Sequence, residues 1–512
     1  MTRRTLTVGV IAAMAWASHG CGILAGADDG DVGVPDADDG GPDAAPDASG
    51  DGGVTCDAAE LGRRLEQARA GETVTIGACR VAGTFEVPAG VTLAGQGEAT
   101  VLETPGDAFR PVLTLRTGRG ATTRVTDLRI ESASNYGIAA IGGGGAIEAD
   151  RVTVVATRGV AIGVERTASL KLTTVELEGP FAAGGTTRPE EARPESMATH
   201  GLVVVRGGRA ELDGVRVRGF AGFGVVLVGT TTVWTGGGAP DNLGVGLAVS
   251  AGDTTLAGVD LSRSHWLGGP LIGEPGGGED GLPPSFGGVF VDGAIVHSTD
   301  LVVSGGEGFG LVHDGGTVRH ERLAAHGNGR AGLWAQGTQS LEVTGAGTSL
   351  RGNRYAGIVV VDPVSLTIRD AAVETTRWGC LDCGALAERR AADGIQVVRP
   401  QAGATLADLV LHDNARIGLL LDLGGGTMDG VSISGIDVYG TGEELGAVAQ
   451  NGEVAGAWDA GITRGGGTGL TDYDPGLGIL SVAGRISIRV LPAVGDLDRT
   501  GLRGLIDPDP PY

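Results

Sequence analysis

Aromatic residues and lysine are scarce in this sequence. Phe, Trp and Tyr together make up 4% of the 512 residues, and Lys171 is the only lysine. Val, Leu and Ile must therefore supply most of any core. The formal net charge of −24 repels phosphate backbones and excludes nucleic acid as an expected partner.

Long apolar runs and metal-binding motifs are also absent. The longest apolar run, residues 6–17, is too short to cross a membrane as a stable helix. Neither the ligand spacing of an EF-hand nor a GGxGxD repeat is present. We therefore expect no metal and no cofactor, with calcium as the one alternative.

Glycine, by contrast, is abundant, at 96 of 512 residues. A collagen-like chain needs Gly at every third position together with much Pro, and this sequence has neither. The abundance of Gly instead indicates turns between many short strands.

The N-terminal residues have the pattern of an export signal. Arg3 and Arg4 precede the apolar run, and small residues follow it, which predicts a signal peptide over 1–20. The sequence Ser18-His19-Gly20-Cys21 resembles a bacterial lipobox with Ser in place of the usual Leu. It predicts a lipid anchor at Cys21 in the cell envelope, at the outer membrane or cell surface, and no other membrane contact. Cleavage after Ala17, which would give a free secreted protein, is the alternative.

Cysteine parity favours the lipid anchor. The chain has five cysteines, an odd number for an exported protein. If Cys21 carries lipid, Cys56 with Cys79 and Cys380 with Cys383 form two local disulfides. A redox site or a zinc site at Cys380–Cys383 is disfavoured, because neither a thioredoxin-like setting nor further ligands are nearby.

Two segments precede the main body of the chain. Residues 21–54 include nine Asp and no basic residue between 27 and 54, so we expect a disordered tether. Residues 55–98 are expected to form an N-terminal cap. It begins with a helix from the N-cap Asp57 to Ala70, which Gly71 ends, and continues with short strands.

A repeated element organises residues 99–464. It consists of Gly followed by a branched aliphatic residue, and a basic interval of 22–25 residues separates its copies. The expected Gly members are 137, 159, 201, 224, 246, 288, 310, 332, 357, 394, 418 and 461. Each interval holds three short alternating segments, which predicts an all-β parallel β-helix with three strands per coil. Crossover statistics favour the right hand, and residues 465–512 are expected to cap the open end.

An Asn precedes several of these glycines by four residues, as in Asn328, Asn353 and Asn414. With this Asn-x-x-x-Gly-(Ile/Leu) element, the chain resembles the right-handed β-helix, pectin-lyase-like superfamily. We expect the Asn residues to adopt a left-handed turn conformation and to form an amide ladder between coils.

Four intervals are longer than the rest and predict four loop insertions on one side of the solenoid, at 181–198, 266–285, 378–392 and 439–458. The outward column of the strand that follows the Gly element is largely apolar. A strand that is apolar on both faces is normally covered on both. We therefore expect the loops to cover most of this stripe and to leave a groove between them.

The insertions supply the candidate ligand residues. Aromatic platforms beside carboxylates and guanidinium groups suit an extended saccharide. The alternative is that the Trp residues anchor the loops and the charges are solvated. The candidates are Trp266, Glu274, Glu279, Asp280, Trp334, Trp378, Arg389, Arg390, Tyr439 and Trp458.

The resemblance makes an enzyme a more plausible expectation, because members of this superfamily include polysaccharide hydrolases, lyases and epimerases. The fold alone does not decide whether a chain is an enzyme. The motifs of two such families are missing. The polygalacturonase pattern includes Gly-His-Gly, and its nearest match here is Thr199-His200-Gly201. The alginate-epimerase pattern includes Asp-Pro-His, but here Tyr473-Asp474-Pro475 is followed by Gly.

We therefore expect a binding or structural module for extracellular polysaccharide or an envelope partner. The alternative is a divergent lyase or hydrolase with an Arg389 or Arg390 base and calcium-bound carboxylates.

Overall fold

The computed structural model describes residues 55–105, 110–181, 199–264, 286–380, 390–401, 403–440, 445–453, 458–464 and 478–483. The predicted signal peptide, Cys21 and the tether lie outside these ranges, as does most of the predicted C-terminal cap.

One α-helix, α1 (Ala58–Gln67), opens the described chain, as predicted for a cap. Asp57 is its N-cap, and the Glu60 backbone N–H donates to Asp57 Oδ1 at 2.8 Å. Leu61 and Leu65 are buried against the first coils. The helix ends earlier than expected, because Ala68 is already extended. Cys56 and Cys79 form a disulfide beside α1, with 5.9 Å between their Cα atoms.

The described residues contain 36 strands, which wind into a right-handed parallel β-helix of about 13 turns. The fold class predicted from the repeat is thus confirmed. Each full coil contributes to three parallel sheets, which we number in the order that the chain visits them from the Gly element. Some strands bend through a corner and belong to two sheets.

The strands are grouped here by sheet. Sheet 1 contains Phe85–Val87, Leu113–Arg116, Tyr136–Ile141, Val160–Glu165, His200–Val205, Phe286–Asp292, Phe309–Asp314, Leu333–Gln336, Tyr355–Val361, Arg390–Val398, Leu419–Asp422, Leu445–Gly452 and Gly478–Ala483. Two strands run from sheet 1 into sheet 2, Val225–Thr235 and Leu247–Ala257. Sheet 2 alone contains Thr73–Thr75, Thr92–Ala94, Ser169–Thr173, Arg209–Asp213, Ile295–Thr299, Thr317–Glu321 and Ser340–Thr344.

Five strands run from sheet 2 into sheet 3, Thr122–Ser132, Ala146–Ala156, Leu366–Glu374, Ala404–His412 and Val431–Tyr439. Sheet 3 alone contains Arg80–Ala82, Val101–Glu103, Glu176–Glu178, Arg216–Arg218, Val302–Ser304, Ala324–His326, Thr348–Arg351 and Ile462–Arg464. Gly379–Cys380 pairs antiparallel with the start of Arg390–Val398, and Trp458–Gly461 is a short 3₁₀ helix.

Strand register stacks equivalent residues of successive coils. Leu311 pairs with Leu333, which pairs with Ile358, and all three side chains are fully buried. The interior is therefore a continuous column of branched aliphatic side chains, which is what the alternating pattern predicted.

The chain turns at three corners per coil, and each corner uses a residue in the left-handed region. In one coil these residues are Gly315 (φ 69°), Arg322 (φ 55°) and Gly327 (φ 64°). We call the corner at Gly327, where the chain passes from sheet 3 back to sheet 1, the 3–1 corner. The left-handed residue there precedes the Asn, so the expectation of a left-handed Asn328 is wrong.

The Asn residues instead form the predicted amide ladder inside the 3–1 corner. Asn328 Nδ2 donates to Asn353 Oδ1 at 3.0 Å, and Asn353 Nδ2 donates to the Ala325 carbonyl at 2.8 Å. Asn414 continues the pattern by accepting from the Thr376 backbone N–H at 3.2 Å. These side chains are buried, so the ladder satisfies corner backbone groups that water cannot reach.

Two members of the predicted Gly column are wrong. Ile162 pairs with Leu202, so the residue in the column is Ala161 and not Gly159. Ala447 pairs with Leu419, so Gly446 replaces Gly461 at the other end. The column requires a small residue and not glycine alone, and the spacing pattern could not distinguish neighbouring small residues.

The second error removes one predicted insertion. Residues 445–452 form a sheet 1 strand, so 439–458 is not a single loop. For the other three insertions, the described chain enters from sheet 3 and returns into sheet 1, on either side of residues 182–198, 265–285 and 381–389. Their residues lie outside the described ranges.

We predict that Asn353→Ala lowers the free energy of unfolding by about 2–3 kcal/mol, because it removes the acceptor of the buried Asn328 backbone N–H and the side-chain donor to the Ala325 carbonyl. Urea unfolding followed by circular dichroism measures this change. Asn135→Ala is the control, since the Asn135 side chain forms no hydrogen bond with any described residue, and its expected effect is within about 0.5 kcal/mol. Equal effects of the two variants would contradict a structural role for the ladder.

Candidate functional site

The outward column of sheet 1 is not an open groove in this structure. Phe290, Val312, Trp334 and Val359 are all 0% exposed. Trp334 packs edge-on against Phe309, with ring centroids 5.4 Å apart. Trp334 lies on the outer face, as the alternation predicted, but its side chain is buried there. Its role as a ligand contact stays a prediction.

A charged pair lies buried on the same face, toward the C-terminal coils. Arg416 Nε donates to Asp393 Oδ1 at 2.5 Å, and Gln396 Nε2 donates to Asp393 Oδ2 at 2.7 Å. Burial raises the pKa of the Asp393 carboxyl above its ordinary value, although the Arg416 guanidinium opposes the rise. Burial also raises the pKa of Tyr355, and the charge of Asp393 adds to that effect.

An accessible groove runs along the 3–1 corner over successive coils. Its volume is about 490 Å³, and its lining residues are Gly305, Gly306, Glu307, Gly327, Asn328, Gly329, Gly352, Arg354 and Arg377.

The groove exists because its turns lack side chains. A Cβ on Gly329 would lie 1.9 Å from the Glu307 carbonyl oxygen, so neighbouring backbones approach too closely for any other residue. The corner therefore presents bare backbone to solvent.

Two arginines form one end of the groove. Arg354 and Arg377 are register partners in neighbouring coils, and both are exposed. Neither forms an ion pair with any residue in the described ranges. Trp378 follows directly and is 46% exposed, and a Cβ on Gly379 would lie 2.9 Å from Arg354 Cβ. Trp378 is thus a predicted ligand residue that follows a groove arginine in the chain and whose side chain is open to solvent.

A polar column borders the same corner on sheet 3. Its members are in register across successive coils: His326, Arg351, Glu374, His412 and Tyr439. The Glu374 carboxylate accepts from Arg351 Nε at 2.5 Å and also contacts His412 Nε2.

The chemistry of His412 follows from its contacts. Its Nδ1 lies 2.9 Å from Asp413 Oδ2, so carboxylates occupy both ring nitrogens and neither is free to act as a general base. The ring stacks on Tyr439 at 4.8 Å with an interplanar angle of 8°. Burial raises the pKa of Tyr439, as do Glu374 and Asp413, so its phenol is neutral at pH 7.

Sequence reasoning named Tyr439 but missed Arg351, Glu374 and His412 as its column partners. A usable signal was present, because each column member is the last residue of its sheet 3 strand and comes just before the left-handed corner residue. Irregular intervals between coils concealed that shared position.

Several predicted residues cannot be placed in the site. Trp266, Glu274, Glu279, Asp280, Arg389 and Cys383 lie outside the described residues. Arg390 and Cys380 form the antiparallel pair at the base of the third insertion, and Trp458 begins the 3₁₀ helix. The Cys380–Cys383 disulfide stays a prediction.

Within the described ranges, no group of three or more His, Cys, Asp or Glu side chains is arranged to hold a metal ion. Among the same residues, no helix has the length and apolarity needed to cross a membrane.

No protein-family model matches the sequence, and no curated protein matches it. Solved structures give weak likenesses. The A-module of the mannuronan C-5 epimerase AlgE6 from Azotobacter vinelandii is 14% identical, with a TM-score of 0.39, and the match covers 81% of this chain and 97% of that one.

The periplasmic alginate epimerase AlgG is 10% identical over 80% of this chain and 82% of its own, with a TM-score of 0.34. The polygalacturonase from Erwinia carotovora is 10% identical over 83% and 96%, with a TM-score of 0.27. The fold of the present chain is established by its own strand register, and similarity this low carries no information about activity.

We predict that Asp393→Ala lowers the free energy of unfolding by about 3–5 kcal/mol, because it removes the carboxylate that faces the buried Arg416 guanidinium. The double variant Asp393→Leu/Arg416→Met should recover most of the loss. Glu86→Ala is the matched control. Glu86 forms the same kind of two-contact pair with Arg116, but its side chain is 55% exposed, and the expected loss is below about 1 kcal/mol. Urea unfolding measures all three variants, and equal losses for Asp393→Ala and Glu86→Ala would contradict the prediction.

Proposed function

We propose that this protein is an exported β-helix binding module that holds an extracellular polysaccharide in the 3–1 corner groove. The groove is open, extends over several coils and offers backbone groups rather than a deep apolar pocket. Such a shape suits an extended, hydroxyl-rich polymer better than a small apolar ligand.

The observation that carries this proposal is the pairing of Arg354 with Arg377 at the groove. These two exposed arginines are in register without ion-pair partners among the described residues, and the residue that follows Arg377, Trp378, is 46% exposed. Guanidinium groups bind carboxylates in a forked geometry, and an indole face packs against the apolar face of a sugar ring. An acidic polysaccharide would satisfy both.

The export signal and the lipid anchor at Cys21 complete the proposal for the cell envelope. The acidic segment 27–54 would then separate the solenoid from the membrane. A Cys21→Ser variant that still fractionates with membranes would count against the anchor and would leave the groove unaffected.

We predict that Arg354→Ala/Arg377→Ala weakens binding to polygalacturonate or alginate at least tenfold, because it removes both cations from the groove. Affinity electrophoresis and titration calorimetry at low salt measure the change, and added salt should weaken wild-type binding. Arg158→Ala is the matched control: Arg158 has the same position relative to its column residue Ala161 as Arg354 has to Gly357, is also exposed, and has no ion pair among the described residues.

The expected change for Arg158→Ala is less than about twofold. Trp378→Ala should weaken binding independently of salt, since it removes stacking rather than charge. Equal binding of acidic and neutral polysaccharides, unaffected by the double variant, would overturn the proposal.

The buried Asp393 favours a second candidate, a carbohydrate-active enzyme with a divergent site. A carboxyl group whose pKa is raised by burial, beside Tyr355, Gln396 and Arg416, is typical of catalytic centres as well as of structural ion pairs. The test is incubation of the protein with a polyuronate panel and calcium, with unsaturated products followed by ultraviolet absorbance. We expect no product. Product formation that disappears in a folded Asp393→Asn variant would favour the enzyme.

A further inference from the structure

The coil that forms one end of the groove is unusual in its histidines. Residues 305–326 contain three of the eight histidines of the chain, His313, His320 and His326. Gly305, Gly306 and Glu307 of this coil line the groove, as does Gly327, which follows it. Any loosening of this coil therefore changes the shape of the groove.

His313 and His320 face each other inside the solenoid. Their Nε2 atoms lie 2.9 Å apart, and His320 Nδ1 lies 2.6 Å from Ser298 Oγ. Both side chains are 0% exposed. His313 Nδ1 has no hydrogen-bond partner among the described residues. One proton is shared across the Nε2 contact, so each ring is accommodated in its neutral form.

No carboxylate among the described residues faces this pair. In register above and below His313 are Val291 and Ala335, and beside His320 are Ser298 and Val343. Ala325 of sheet 3 and Leu323, which comes just before that strand, are also buried in this core.

The charged neighbours Asp314, Arg319 and Glu321 alternate to the outer faces of their strands, as does His297, the other titratable group close to the pair. An added proton would thus stay uncompensated inside the solenoid, and the His297 charge would oppose it further. Burial lowers the pKa of both rings, that of His320 to about 3.

We propose that the His313–His320 pair is an acid-sensitive latch, which opens the coil of residues 305–326 on protonation and releases the ligand from the 3–1 corner groove. The opening follows from the buried pair alone, whereas the release depends on the proposed binding function.

The direction of the pH dependence follows from proton linkage. The closed coil holds both rings neutral, whereas an opened coil exposes them at an ordinary pKa of about 6.5. The coil is therefore fully stable above that pH and loses stability as the pH falls toward 3. For one histidine, the equilibrium constant for opening should rise roughly tenfold for each pH unit below about 6.5. At pH 5 it should be roughly 30-fold higher than at a pH well above about 6.5.

Hydrogen exchange of the full chain at pH 7 and pH 5, corrected for the chemical exchange rate, tests the latch. In the wild type, we expect peptides from 305–326 to lose protection at pH 5 while peptides from 404–412 keep theirs. His313→Val/His320→Val introduces residues found at the same positions in neighbouring coils and should abolish this local response. His412→Gln, which changes a histidine outside the coil, should leave it intact.

The latch is overturned if the double variant keeps the wild-type response, or if the entire solenoid loosens equally. If the double variant fails to fold, His313→Ala provides the same comparison. Alanine is the residue that the next coil has at this position, Ala335.

Retention on immobilised polygalacturonate at both pH values tests the release. We expect the wild type to bind at pH 7 and to elute at pH 5, and the double variant to stay bound at both. If both proteins elute at pH 5 but only the wild type loses protection of residues 305–326 in hydrogen exchange, the proposed coupling to the groove is overturned. Opening of the coil on protonation would then still be supported. Failure of both proteins to bind at pH 7 would contradict the proposed function, and hydrogen exchange would then decide the latch alone.

Discussion

Register stacking is the constraint on which the rest of this structure depends. In a parallel β-helix, each residue lies about 4.8 Å from the residue at the same position one coil away. Identical side chains therefore accumulate in columns, which favours aliphatic residues inside and amides at the corners. Alternating charges are favoured in such columns, because like charges directly opposite one another are destabilising.

Several columns obey this rule: Arg124 pairs with its register partner Glu148, and Arg218 pairs with Glu178. Glu103 and Glu131 are in register with like charge, but Arg80 contacts both and compensates them. Arg354 beside Arg377 is the opposite case, since two cations are in register and neither has a carboxylate partner among the described residues. An external anion contributes most at a position where the fold tolerates an unfavourable repeat, and this distinguishes Arg354 and Arg377 from the many compensated arginines.

The corners combine backbone strain with charge pairing. Asp127 with Arg151, Asp300 with Arg322, and Asp362 with Arg399 are ion pairs between corner residues of neighbouring coils, and all six residues have positive φ. Asp tolerates this conformation better than most residues, but Arg does not, so the ion pairs offset some of the strain. The glycines of the 3–1 corner avoid the strain but contribute no side chain, and the Asn ladder beneath them supplies the missing hydrogen bonds.

The sequence was sufficient to predict the columns but not what covers them. Aliphatic spacing predicted the β-helix, and the recurrence of Asn328 and Asn353 predicted their ladder, because both signals repeat along one dimension. Trp334 was placed correctly on the outer face, but alternation does not indicate whether a face is open. The Arg351, Glu374 and His412 contacts join residues separated by 23 and 38 positions, and such irregular intervals cannot be aligned without the strand register.

The groove and the interior beneath it are linked by this same stacking. In the coils on either side of residues 305–326, Val291 and Ala335 occupy the position of His313. Val343 occupies the position of His320 in the following coil. Replacing aliphatic side chains with imidazoles removes apolar burial and makes the remaining stability depend on the neutral state of two rings. The glycine-lined corner adds little side-chain packing of its own. The coil that carries one end of the groove is thus held by fewer aliphatic side chains than its neighbours. In the proposed latch, its opening acts on Arg354 and Arg377 through the coil of residues 327–352, with which it pairs.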